Sequence, residues 1–216
     1  MKKLTLCVPC FGRPQRTLRA MQCVLNQDID GWEAFFIGDG CPTFERMLSE
    51  GVFDNFQISA EQNGNEFHIF NLDQNYGGWG YAARNLCFQL ADSEYTLFMD
   101  NDDMIKPYHF RNYYNTIKST GDDFMFFNTY IEPIAQERNT ELKFGSIGHS
   151  EIIVKTSWLK DYEQKGEYGQ DWDLIDSLIR RGAISSKAYN KPATYIVKEL
   201  GGGHENRQRL TEQGID

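Results

Sequence analysis

Three carboxylates stand in four positions at the end of an apolar run: Asp100, Asp102 and Asp103 in the stretch LFMDNDDM, residues 97–104. Like charges packed this closely raise each other's pKa unless a cation or solvent offsets them. Asp, Asn and water supply hard oxygen ligands, which suit Mg²⁺ or Mn²⁺. Mg²⁺ prefers one or two carboxylates plus substrate phosphates to a full protein cage. A D-x-D at a strand end therefore suits a metal that bridges a diphosphate and offsets its charge as a bond breaks. The competing reading is a solvated turn, because Asp and Asn favour turns in any case.

A second spacing with chemical potential is Cys7-Val8-Pro9-Cys10. A zinc site would want a second pair of ligands at similar spacing, and the sequence has none. A redox CxxC would open a helix after a strand, whereas Cys7 falls inside an expected strand. The five cysteines, an odd number, read as free thiols.

The elements that must position the carboxylates follow from hydrophobic period. Strands are expected at residues 3–9, 32–37, 67–72, 95–99 and 124–131. Helices are expected at 14–27, 43–51, 78–92 and 107–119, two of them opening at or near Pro14 and Pro107. Strands alternating with helices imply βαβ units and a largely parallel sheet, and strands this apolar are those of a buried one. Beyond residue 132 the alternation is irregular: a strand near 151–154, helices at 157–165 and 171–181, and a strand at 194–198 before a glycine-rich polar tail. In open α/β sheets ligands bind outside the carboxyl ends of the strands. Phe11-Gly12-Arg13, Gly38-Asp39-Gly40 and Asp100-Asn101-Asp102-Asp103 all fall at such ends. Parallel neighbouring strands would turn all three loops to one cleft.

The chain of 216 residues suits one domain with a substantial core, and 40% hydrophobic and 14% aromatic content are those of a folded protein. The formal charge of −9 argues against a duplex nucleic-acid partner, which would need a basic face. No apolar run approaches the roughly 20 residues that span a bilayer. The apolar stretch after Lys2 and Lys3 is too short for a signal peptide and is broken by Pro9. The expected location is cytoplasmic, with peripheral membrane contact left open.

Taken in order, VPCFGRP, FFIGDGCPT, NYGGWGYAARN, LFMDNDD and GQDWDL resemble the inverting glycosyltransferases of family 2, which have the GT-A fold. The resemblance spans roughly residues 4–182. It implies a single Rossmann-like α/β domain, a mixed and mostly parallel sheet flanked by helices. Residues 1–104 would form the nucleotide-sugar half, and 105–216 the acceptor half with a flexible C-terminal tail. It implies a metal-dependent transfer, with Mn²⁺ or Mg²⁺, from a nucleotide sugar, a UDP-sugar favoured, to a hydroxyl of a glycan, lipid-linked glycan or protein.

The resemblance also implies site residues. Pro9, Phe11 and Arg13 would meet the nucleotide, with Phe11 stacking on its base, and Asp39 would hydrogen-bond that base. Gly38 stands where the family usually has a first acid. Asn75, Gly77 and Arg84 would serve the nucleotide or an acidic partner, Asp100 and Asn101 the ribose side, and Asp102 the metal. Asp103 would assist the metal or orient the loop. Asp171 matches the catalytic base, with Gln170 in place of the more common acid. Asp171 could instead cap a helix, and Asp173 is the rival base. His204, behind three glycines, would complete the metal sphere. His149, Trp172 and Arg207 are candidates for acceptor or diphosphate contact, as is Arg209 for the diphosphate. Two other classes stay open: a sugar-nucleotide pyrophosphorylase, and a non-catalytic carbohydrate-binding relic of the same fold.

Overall fold

The computed structural model describes residues 2–189 and 191–198. The first part of the chain runs β1 (Lys2–Cys10), α1 (Pro14–Leu25), β2 (Trp32–Gly38), α2 (Pro42–Ser49), α3 (Asp54–Gln62), β3 (Glu66–Asn71), α4 (Tyr81–Leu90) and β4 (Ser93–Phe98). It continues with β5 (Met104–Ile105), α5 (His109–Thr120), β6 (Phe124–Phe126), β7 (Thr129–Ile131), β8 (Gln136–Arg138), β9 (Ile152–Lys155), α6 (Gln170–Arg180), β10 (Ser185–Lys187) and β11 (Tyr195–Val197). The main sheet has the order β10-β6-β9-β4-β1-β2-β3, and β5-β11-β7-β8 form a smaller one. In the main sheet β9 runs antiparallel to both β4 and β6, while the other pairings are parallel.

Alternate residues of β1 explain the two-sided core. Leu4, Leu6, Val8 and Cys10 pack with α1, α2, α3 and α5 on one face. Cys7 points to the other face, where Ala83, Cys87 and Phe88 of α4 meet Leu174, Ile175 and Leu178 of α6. With helices on both faces, strands lose their alternation and become continuously apolar, as β2 is in WEAFFIG. All five cysteines are free and buried in this core.

The expected elements hold through β4, with one addition. α3 was not expected, because only Ala60 of its nine residues is fully buried and its apolar face is weak. The helix expected from residue 78 begins at Tyr81, since Gly78, Trp79 and Gly80 all have positive φ. The strand expected over 124–131 is two strands in different sheets. Phe127 turns out of the main sheet and stacks on Tyr113 at 3.9 Å, and Asn128 bonds Glu137 and the Thr140 N–H. The helix expected over 157–165 is a 3₁₀ turn at Thr156–Trp158 followed by irregular chain. There the side chain of Asn85 takes both backbone groups of Gln164, at 2.8 and 2.9 Å, so they cannot serve a helix. β8 and β10, three polar residues each, carry no apolar pattern that would reveal them.

Asn85→Ala should therefore loosen residues 162–166. Losing the two bonds is expected to cost about 1–3 kcal/mol, read as a lower urea midpoint with an unchanged m-value.

Candidate functional site

The register of the parallel strands brings the three loops together. Cys10 pairs with Gly38 and Cys7 with Phe98, so β1, β2 and β4 end side by side. The Asp39 N–H continues the ladder to the Cys10 carbonyl at 2.9 Å, and the Met99 N–H to that of Cys7 at 3.0 Å. Phe11 stands at this edge with 53% of its surface exposed, and Pro9 lies beneath the α4 loop.

Asp39 is buried, and its two oxygens accept the backbone N–H groups of Tyr76 and Gly77, each at 3.0 Å. It thus holds the 75–80 loop that carries Asn75 and Gly77. That loop needs glycine for two separate reasons. A Cβ on Gly78 would stand 2.7 Å from the Cα of Gly166, and one on Gly80 would stand 2.5 Å from Pro9. Trp79 sits between them at φ 53, a backbone strain of about 1–2 kcal/mol for a residue with a side chain.

The acidic loop divides into three roles. Asp102 meets three arginines spaced along the start of α1. Arg13 forms an ion pair with its carboxylate, Arg16 lies 4.0 Å away, and Arg19 donates to its carbonyl at 2.6 Å. Asp103 is buried instead and faces the second sheet. It accepts the Tyr195 hydroxyl at 2.8 Å and the Lys198 N–H at 2.9 Å, while the same hydroxyl accepts the Asp100 N–H at 3.0 Å. Burial, and then the charge of Asp100, push the Asp103 carboxyl up to about 7. Asp100 is exposed, and Asn101 is buried and donates to Thr17 at 3.0 Å.

Arg84 joins this loop to the other half. It is buried, donates to the Trp79 carbonyl at 2.6 Å and lies 3.5 Å from Asp100. Its charge also reaches Asp171, in the first turn of α6. Burial would raise the Asp171 carboxyl, but His149, through its ring and its backbone N–H, and Arg84 outweigh it and hold it at about 2. Its side chain is still 45% exposed, so the carboxylate is both ionised and reachable. Asp173 points to solvent one position beyond Trp172, which packs against the core. Nothing in α6 uses Asp171 as a side-chain cap: its N-cap is Gly169, in left-handed conformation.

Beside Asp171 the aromatic rings of Phe144, Tyr168 and Trp79 come together at the surface. Tyr168 is 85% exposed, and its ring centroid lies 6.5 Å from each of the other two. His204, Arg207 and Arg209 lie outside the described residues. Among those described, a group of three potential metal ligands, Glu33, Glu66 and His68, sits at the amino ends of β2 and β3, with Lys2 on Glu66 at 2.7 Å. That is the opposite end of the parallel strands from the acidic loop. Sequence reasoning missed Gln164, Tyr195, Arg19, Phe144 and Tyr168, none of which sits in a local motif, and gave no role to Trp79 within NYGGWGYAARN.

The profile of the family described as "Glycosyl transferase family 2" matches residues 5–176. WcaA of Escherichia coli (strain K12), named as a colanic acid biosynthesis glycosyl transferase, is 31% identical over 104 residues, 48% of this chain and 34% of that protein. S. aureus TarS solved with UDP-GlcNAc superposes with a TM-score of 0.73 at 17% identity, covering 94% of this chain and 60% of that one. The mannosyltransferase PcManGT of Pyrobaculum calidifontis, solved with GDP-Man and Mn²⁺, superposes with a TM-score of 0.69 at 11% identity, covering 97% of this chain and 60% of that one. The chain thus spans about a third of WcaA and 60% of each of these two structures.

Gly78→Ala should strain the loop that Asp39 holds. We expect a loss of about 1–3 kcal/mol, seen as a lower melting temperature, because the methyl meets backbone rather than a side chain that can turn away.

Proposed function

The chain belongs to glycosyl transferase family 2, and from that premise we propose that it moves a sugar from a nucleotide-sugar donor to an acceptor hydroxyl with inversion. The observation that carries this reading is the shared cation. Buried Arg84 acts on Asp100, in the loop suited to the donor's phosphates, and on Asp171, suited to the base, so one cation serves both carboxylates.

In the proposed step the acceptor oxygen forms a bond to the anomeric carbon from the face opposite the diphosphate. The bond from that carbon to the diphosphate oxygen breaks, its electron pair leaves with the diphosphate, and Asp171 takes the acceptor proton. Two properties support Asp171 in this role: its carboxylate is held ionised, and its side chain is partly exposed.

A divalent cation fits the acidic loop by its chemistry. The donors are hard oxygens, Asp100 is exposed, and beside the larger effect of burial its charge adds to raising Asp103, a repulsion of the kind a cation offsets. Asp100 and Asp102 would hold it together with substrate phosphates, and it would supply charge neutralisation for the leaving diphosphate. Asp103, occupied by Tyr195 and Lys198, supports the loop instead. Arg13, Arg16 and Arg19 line the same corner and suit phosphate oxygens once donor enters.

Exposed Phe11 offers a face for a nucleotide base, and solved relatives of the fold with UDP-GlcNAc and with GDP-Man support a nucleotide sugar. We favour UDP. The aromatic trio beside Asp171 supports a carbohydrate acceptor, because sugar rings present C–H faces that pack on aromatic ones. Residues 1–104 would then serve the donor and 105–216 the acceptor, with Trp79 as the contribution of the first half to the acceptor side. No helix among the described residues is long and apolar enough to cross a membrane.

Two substitutions test this. Asp171→Asn should lower nucleotide release by about 10²-fold or more, within the range for a lost general base, while UDP and Mn²⁺ bind as before in calorimetry. Transfer at the wild-type rate would remove Asp171 from the mechanism. Asp102→Asn should weaken UDP binding in the presence of Mn²⁺ by roughly tenfold or more, as expected when one ligand charge is lost. Unchanged binding heats would exclude the acidic loop as the metal site.

A further inference from the structure

Behind Asp171 a line of buried polar side chains runs back to the 75–80 loop. Gln170 Nε2 donates to the Gly78 carbonyl at 3.1 Å. Gln164 Nε2 donates to Gln170 Oε1 at 2.6 Å and lies 3.1 Å from His149 Nε2. His149 Nδ1 meets Asp171 Oδ1. Gln164, Gln170 and His149 are all buried, so water cannot supply missing partners.

The polarity of this line is set at one end. A backbone carbonyl can only accept, so Gln170 must turn its NH₂ group to Gly78 and its oxygen to Gln164. That oxygen demands the NH₂ group of Gln164, whose second hydrogen then points at His149 Nε2. His149 Nε2 must therefore be bare, and the ring proton must sit on Nδ1, facing Asp171. This orientation leaves Gln164 Oε1 unbonded among the described residues, and His149 Nδ1 lies against Asp171 Oδ1 without hydrogen-bond geometry, so the relay needs a small turn of the ring to close that bond. Turning the amide over would be worse, for it would set two oxygens against each other at the Gln170 contact. A glutamate at position 170 could not make the Gly78 bond at all.

We propose that Gln170, Gln164 and His149 form a positioning relay that holds a neutral, Nδ1-protonated imidazole against Asp171, and so orients the base of the transfer. The relay rests on the reading of Asp171 as base. It also couples that base to the glycine loop, since Gly78 precedes Trp79, whose carbonyl holds Arg84. The charged and titratable groups that face Asp171 are His149, Arg84, Glu151 and Tyr162. Arg84 favours its ionised form by charge, and a neutral His149 does so through hydrogen bonding alone. His149 ring packing on Phe98, at 5.3 Å, keeps the imidazole in place.

Two measurements test the relay. The first is independent of activity: ¹⁵N NMR of histidine-labelled protein, with the His149 signals assigned from His149→Phe. The wild type should show a bare Nε2 and a protonated Nδ1 at neutral pH. Gln164→Glu, which cannot donate to the ring, should draw a proton onto Nε2. A wild-type ring that is Nε2-protonated overturns the proposal. The second is the pH profile of UDP release from UDP-GlcNAc, UDP-glucose and UDP-galactose with Mn²⁺. His149→Phe and Gln164→Leu should move the acid limb upward by about one to two pH units. His149→Asn, which keeps a donor near the Nδ1 position, should restore it in part. Calorimetric binding of UDP with Mn²⁺ should be unchanged in all of them, showing that the fold is intact. If Asp171→Asn abolishes release but the limb does not move in the other variants, the relay is wrong and the base stands. If Asp171→Asn has no effect, the base assignment fails, and the NMR result alone decides whether the relay exists.

Discussion

A buried arginine is the constraint on which the rest of the site depends. Taking a guanidinium out of water is costly unless its charge and its N–H groups find partners. Arg84 finds the Trp79 carbonyl and Asp100, and its field reaches Asp171. Each partner comes from a different segment: a strained glycine loop, the end of β4 and the start of α6. The cation therefore ties the glycine loop to the acidic loop directly and acts on the carboxylate of α6 through its charge. It also favours the ionised form of Asp171, the state that taking an acceptor proton requires.

The smaller sheet has a supporting role that its size conceals. β11 carries Tyr195, whose hydroxyl holds Asp103 and the Asp100 N–H at once. One phenol thus ties the acidic loop to a strand nearly a hundred residues later. This explains why three carboxylates can crowd one loop. One is buried and bonded, one is balanced by arginines of α1, and one is left for solvent or ligand. Asp39 acts in the same way on the facing loop, spending both oxygens on backbone N–H groups.

Much of this was legible from residue order. The strand–helix alternation through β4 followed from period and proline placement, and the three polar loops fell at strand ends as parallel topology demands. The acidic loop, Asp171 and Arg84 stood out as residue types in motifs. Reading failed where pattern carried no information. The run from Phe124 to Ile131 is apolar throughout, and nothing in it says that Phe127 leaves one sheet and Thr129 enters another. Gln164 sits in a segment of helical composition, yet Asn85 holds its backbone out of any helix.

The sequence by itself determined the fold class, the order of the elements and which side chains could do chemistry. These depend on local period, glycine and proline positions, and charge type. Only the tertiary structure decided how the three aspartates divide their work, and that His149 and two glutamines stand behind Asp171. Such roles are set by which donors reach which acceptors across distant segments, and hydrogen bonds are specified by position and direction in space, which residue order does not carry.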